Sequence, residues 1–372
     1  MRVSFLTGVA VTAAALLASP ALTQDVSRNP YTQPSTAYYN VQTWPSDFAT
    51  PGYVRASNSG IFVESPDRIY LITRGEVKLP SPLPPAFNGT ISSVPERLRA
   101  KPELRNCIIV ANARGDVIER WTQQDHLFAV GGRGPHRIKI SPYDPERHVW
   151  VVDDSGQQIY EFTHDGSRLV MALGEPGVAG NDERHFGRPT DIAWLPDGTF
   201  FVADGYANSR IVKFDRNGKY LSSWGTKGSG PGQFNLPHGI DIDQNRRVYV
   251  ADAHNSRIQV FDENGRFLDQ WPNIWRPDVI MVSADQHLWI ATGATDMMLK
   301  YDLNGKLLEA WGTPGAGPGE FHDIHGFSVD AQGTFYAAEA AGGRTQKFTP
   351  KPGTDPAKLV GAPQPLMRTG AK

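Results

Sequence analysis

Short runs of apolar and alternating residues recur along most of this chain, and turn-forming residues separate them. The clearest set lies between Arg188 and Phe234. Asp191-Ile192-Ala193-Trp194 is followed by a Pro-Asp-Gly turn and then by Phe200-Phe201-Val202-Ala203-Asp204. Arg210-Ile211-Val212-Lys213-Phe214 comes next, then Arg216-Asn217-Gly218, then Tyr220 to Gly225. β-Branched and aromatic residues suit a pleated strand, and Gly, Asn, Asp and Pro suit the turns between strands. The pattern therefore predicts four strands in one unit of sequence.

The unit repeats. Gly239 to Ile242, Val248 to Asp252, Arg257 to Phe261 and Phe267 to Trp271 form the next one. Val279 to Val282 opens a fifth, which closes at Leu307 to Trp311, and Phe327 to Val329 opens a sixth. Ile138 to Ala172 is an earlier, more diverged unit. The first unit is Gly60 to Val63, Arg68 to Thr73, Cys107 to Ala111 and Val117 to Trp121, interrupted by the Pro-rich insertion Lys78 to Pro102. Six units spaced by roughly 40 to 55 residues match four-stranded propeller blades. β-Solenoid repeats are shorter and have fewer strands. The sixth unit lacks a fourth strand after Phe348, and Tyr39 to Trp44 resembles the fourth strand of other units. The expectation is an all-β, six-bladed β-propeller closed by an N-terminal strand, which protects strand edges.

The repeat changes how length is read. A chain of 372 residues suggests two or three domains, but a repeat array needs no separate cores. Arg2 followed by the apolar run Val3 to Ala18, with small residues around Ser19 to Thr23, reads as a secretory signal. The expected division is a signal segment (1–23), an irregular segment (24–36), the propeller (37–350) and an irregular tail (351–372). The protein is thus expected to be exported, periplasmic or secreted, with no membrane segment after signal removal. The formal net charge of −2 offers no field for nucleic acid. Cys107 is the single cysteine, so no internal disulfide is available, and its apolar strand suits a buried thiol.

Candidate chemistry follows from the phase of the repeat. At the start of the first strand the six units carry Ser59, His136, Thr190, His238, Asp278 and His325. First strands line the central channel, so histidines from alternate blades converge about 120° apart. Three imidazoles with open remaining positions suit a catalytic zinc or another first-row metal. The alternative is three polar channel residues bonded to water. Loops after the second strands lie on the same rim, and there Tyr206, Arg257 and Arg74 overhang the channel. Asn-Ser-Arg recurs in two blades, so Arg210 and Arg257 also suit a role in bridging neighbouring blades. The Gly-Pro-Gly stretches after Trp224 and Trp311 are connections between blades. No helix follows them, so they are not phosphate loops.

Several of these motifs carry a family resemblance. The blades are of NHL type. The stretch from Pro189-Thr190-Asp191 through Asp204-Gly205-Tyr206-Ala207-Asn208-Ser209-Arg210 and Pro231-Gly232-Gln233-Phe234 to Pro237-His238 resembles peptidyl-α-hydroxyglycine α-amidating lyase. The resemblance spans about Thr50 to Phe348 and is most specific from Pro189 to Phe261. It implies zinc held by His136, His238 and His325, a catalytic Tyr206, and substrate-binding arginines at Arg74 and Arg257, with Arg74 also catalytic. The implied reaction cleaves the C–N bond of a carbinolamide, giving an amide and glyoxylate. Two departures stand out. Gly326 replaces an acidic residue that the family links to structural calcium, which puts calcium in doubt. Ala207 replaces a disulfide cysteine. The implied partner is a small molecule or a peptide C-terminus, bound by a monomer. A non-catalytic propeller binding protein or glycan is the rival reading. A lactonase-like hydrolase is a weaker third, since such enzymes use carboxylate-rich calcium centres and only Asp278 is acidic at the channel start.

Overall fold

A computed structural model describes residues 35–41, 44 and 48–367. The signal segment falls outside these residues. Among the described residues, six four-stranded antiparallel sheets form six blades. Blade one contains Asn58–Ser65, Arg68–Thr73, Ile108–Ala111 and Val117–Arg120; blade two contains Arg137–Ile140, Val149–Asp153, Gln158–Phe162 and Leu169–Leu173. Blade three runs from Pro189 to Trp224, blade four from Pro237 to Pro272, and blade five from Pro277 to Trp311. Blade six contains Ile324–Val329, Phe335–Glu339 and Arg344–Pro350.

Burial explains the hydrophobic pattern. The second strand of blade three, Phe200–Asp204, is buried at every residue because neighbouring blades cover both its faces. The outermost strand, Tyr220–Trp224, alternates between half-buried and exposed. Each pair of adjacent blades shares one apolar cluster. Phe201 and Ile211 of blade three pack with Ile240 and Val250 of blade four. Ile61 and Ile69 of blade one pack with Tyr336 and Ala338 of blade six. The ring is thus held by its interfaces and not by one central core.

The N-terminal strand closes the ring as expected. Tyr38–Val41 pairs antiparallel with Arg344–Pro350, from Tyr38 opposite Pro350 to Val41 opposite Lys347. The strand begins one residue earlier than the sequence suggested. The Pro-rich insertion is more than an interruption. Glu76–Lys78 pairs with Tyr53–Arg55, and Ile91 and Val94 pack against Val54 and Val77.

The tail is irregular apart from one 3-10 turn at Pro356–Lys358, yet it is anchored. The Val360 amide donates to the Tyr38 hydroxyl at 2.8 Å. The Ala284 amide donates to Ala362, and the Met367 amide to Pro142. The tail therefore crosses the lower face from blade six past blade five to blade two. It caps a cavity of about 270 Å³ walled by Ile61, Ile138, Trp194, Val282 and Phe327. Among the described residues no helix is long and apolar enough to cross a membrane.

Candidate functional site

The channel position is built by a backbone irregularity. Pairing between the first two strands skips one residue in blades one, three, four, five and six. The skipped residues are Ser59, Thr190, His238, Asp278 and His325. A bulge of this kind re-aims one side chain, here toward the channel. Two residues before the channel position, Gly134, Arg188, Leu236, Arg276 and Asp323 all adopt positive φ. In blade two, His136 directly precedes its strand, and its amide donates to Val152 at 2.7 Å.

The three histidines meet. Ring centroids are 4.6 Å apart for His136 and His325, and 5.0 Å for each of the other two pairs. One ligand atom from each lies within 4.8 Å of the others. Each Nδ1 donates to the main-chain carbonyl of the next channel residue round the ring: His136 to Thr190 at 2.8 Å, His238 to Asp278 at 2.7 Å, and His325 to Ser59 at 2.8 Å. A carbonyl only accepts, so these bonds assign the proton to Nδ1 and leave each Nε2 with a lone pair. In return, Ser59 Oγ donates to Pro135 at 2.6 Å and Thr190 Oγ1 to Pro237 at 2.9 Å. Burial holds all three imidazoles neutral. It pushes His238 down to about 3, aided by Arg137, and keeps His136 and His325 well below the usual range.

Tyr206 closes the upper side. Its hydroxyl lies 3.1 Å from His136 Nε2 and 2.9 Å from His238 Nε2. One phenol proton satisfies one lone pair, so the other Nε2 atoms still lack a donor. This donor set fits a cation bound by three neutral nitrogens. Burial first, and then the Asp154 charge, push the phenol up to about 12, while Arg74 pulls the other way. Arg74 is itself buried, and its Nη1 donates to Gly134 at 3.0 Å and to Asp154 Oδ1 at 2.8 Å.

Arg257 requires a correction. Its Nε donates to Asp252, and its two terminal nitrogens donate to Ser229, Gly230, Gln233 and Gln270. With these donors committed to the connection between blades, the structure does not bring it to the triad as a substrate arginine. Arg210 with Asp204 and His185, and Arg344 with Glu339 and Glu320, repeat the arrangement.

Sequence reasoning passed over other arginines that do reach the rim. Arg188 places its guanidinium carbon 4.5 Å from the Tyr206 ring centre and pairs with Asp154. Arg133 also faces Asp154. Arg276 lies 3.0 Å from both Asp278 and Asp323. Arg188 and Arg276 each precede a channel residue by two positions, but only their positive φ shows that these side chains turn to the rim. Burial, reinforced by Asp323, pushes Asp278 up to about 7, and its contact with Arg276 is an ion pair without hydrogen-bond alignment.

Calcium does not fit beneath the triad. A Cβ added at Gly326 would meet Gly60 Cα at 2.8 Å, so the position offers no ligand and no room for one. The neighbouring His325 carbonyl already accepts from Arg137 Nη1 at 2.6 Å. A buried guanidinium therefore supplies positive charge below the histidines. Elsewhere, Cys107 is buried, and burial raises its thiol far above the usual range.

Comparison with known proteins agrees with this architecture. A family model described as a 6-bladed beta-propeller matches residues 179–293. A probable peptidyl-alpha-hydroxyglycine alpha-amidating lyase of Caenorhabditis elegans is 38% identical over 121 residues, covering 32% of this chain and 34% of the relative. Peptidyl-glycine alpha-amidating monooxygenase B of Xenopus laevis is 34% identical over 157 residues, covering 41% of this chain and 17% of the relative. The chain thus spans about a third or less of the length of these amidating relatives. Human NHL repeat-containing protein 3 is 30% identical over 161 residues, covering 40% of this chain and 46% of that protein. A structure of streptogramin B lyase superposes with a TM-score of 0.56 at 11% identity, covering 86% of this chain and all of that one; it speaks to fold alone.

Proposed function

From the premise that this chain is an NHL-type six-bladed β-propeller with amidating lyases among its relatives, we propose that it is a metal-dependent carbon–nitrogen lyase. The substrate is a carbinolamide of a small molecule or a peptide C-terminus. The products are an amide and, from an α-hydroxyglycine, glyoxylate. The observation that carries this reading is the Tyr206 hydroxyl, set within hydrogen-bond reach of two of three convergent, neutral imidazoles.

His136, His238 and His325 would hold the metal through Nε2, and zinc suits this nitrogen donor set. When bound, zinc supplies Lewis acidity at the carbinol oxygen and lowers its pKa. The ring of Nδ1–H bonds to channel carbonyls fixes the tautomer and aims each lone pair. Tyr206, acting as phenolate, takes the hydroxyl proton and returns it to the departing nitrogen. The C–N bond breaks with its electrons going to nitrogen, and the carbon–oxygen bond becomes a carbonyl. Burial pushes the phenol up to about 12, and the neighbouring Arg74 charge pulls it back toward the working range. Arg74 adds positive charge from the rim. The apolar run Val3 to Ala18 supports placing the enzyme in the periplasm or outside the cell.

Elemental analysis of protein purified without added metal, paired with a glyoxylate assay on α-hydroxyhippurate, tests the proposal. The expected result is about one zinc per chain and glyoxylate release, with both lost in His238→Ala. Protein lacking every first-row metal and releasing no glyoxylate overturns it.

A further inference from the structure

Three guanidinium groups converge on one carboxylate at the rim. Asp154 is fully buried. Arg74 Nη1 lies 2.8 Å from its Oδ1, Arg188 Nη2 2.5 Å from its Oδ2, and Arg133 Nη1 3.6 Å from the same oxygen. Burial pushes the Asp154 carboxyl up, but Arg74 and Arg188 outweigh it and hold the group below the usual range. One negative charge therefore faces three positive ones, and the cluster keeps a surplus of positive charge.

The surplus sits on two side chains open to solvent. Arg74 is 9% exposed at its side chain, whereas Arg133 is 52% and Arg188 32% exposed. Arg188 is also fixed from below. Its amide donates to Gln157 Oε1 at 2.6 Å, and its carbonyl accepts the Tyr206 amide at 3.1 Å. Its φ of 61° is a left-handed conformation that residues other than glycine rarely adopt. That conformation carries the guanidinium over the Tyr206 ring, whose hydroxyl touches the triad. On the blade-five side there is no such surplus, because Arg276 faces two carboxyl groups, Asp278 and Asp323. The pull on an anion therefore lies on the Arg188 side of Tyr206.

We propose that Arg188, with Arg133, receives the carboxylate of the substrate and sets a preference for a free acid over its ester. This deepens the lyase reading and rests on it. The carbon whose bond to nitrogen breaks bears both hydroxyl and carboxylate. With the hydroxyl at the histidines, the carboxylate turns toward Arg188 and Arg133, and the departing amide points away from them. Arg188 acts as a specificity-determining residue, and its guanidinium offers the paired donors that a carboxylate accepts.

The test compares α-hydroxyhippurate with its methyl ester and follows benzamide, the product common to both. In Arg188→Met the acid-to-ester ratio of kcat/KM is expected to fall about tenfold or more, mainly through KM for the acid. Arg188→Lys keeps the charge and restores part of the ratio. An unchanged ratio in Arg188→Met overturns the assignment. Hippurate binding by calorimetry separates this proposal from the reaction. If wild-type protein cleaves neither compound, the lyase reading fails. The carboxylate site then stands only if wild-type protein binds hippurate and Arg188→Met weakens that binding tenfold or more. Equal binding, or none by wild-type protein, overturns it. Comparison of melting temperatures confirms that Arg188→Met is folded.

Discussion

A phenol between two unprotonated imidazoles has one proton to give and two lone pairs to satisfy. Tyr206 holds that position, and its ring is positioned through its own amide and Arg188. Tyr206→Phe removes the hydroxyl and leaves the three Nε2 atoms in place. The variant is expected to retain its metal by elemental analysis while kcat falls by about 10²- to 10⁴-fold. Full activity in that variant would remove Tyr206 from the chemistry. The histidines were legible in sequence because the repeat fixes their phase, and Tyr206 because an aromatic at a loop tip has no core to fill. Arg188 was not legible. A residue directly before Pro189 reads as a spacer, and only the backbone shows that its positive φ throws the side chain toward the rim.

The same arginine position has one meaning in three blades. Arg210, Arg257 and Arg344 each begin a third strand, pair with an acid ending the second strand, and bond carbonyls of the connection before their blade. The sequence showed the recurrence of Asn-Ser-Arg, and recurrence favoured a structural role. The family resemblance pulled Arg257 toward the substrate instead. Packing favours the structural role, because a long side chain that starts a strand between blades reaches the neighbouring connection first. Asp252 is buried and relies on Arg257. Arg257→Leu leaves that carboxylate without its charged partner, which costs about 3–5 kcal/mol. The expected outcome is a lower urea midpoint, with KM for α-hydroxyhippurate close to that of the parent protein. A large rise in KM without loss of stability would return Arg257 to the substrate site.

At the scale of the whole molecule, six similar interfaces must close on one another, and the first and last strands of the ring meet where they do. Blade count, strand order and the closing strand were all readable, because four-strand periodicity leaves blade six one strand short. The path of the tail was not readable, since no hydrophobic period marks it and its anchors are scattered hydrogen bonds and isolated apolar side chains such as Val360 and Leu366. Tyr38 joins the closing strand to the tail. Its ring packs 5.7 Å from Trp311 and 6.0 Å from Phe335, and its hydroxyl accepts the Val360 amide. Tyr38→Ala removes a buried aromatic from the blade five–six interface, a loss of about 3–5 kcal/mol. It also frees the tail at Val360. Hydrogen exchange is expected to quicken first at Arg344–Pro350, where the closing strand pairs, and at Val360. Exchange should stay slow in Phe200–Asp204, which lies across the ring and is buried between two intact neighbours. Uniform acceleration in every blade would mean that the ring opens as one cooperative unit. Acceleration confined to blade six and the tail would mean that closure is a local latch on a set of nearest-neighbour contacts.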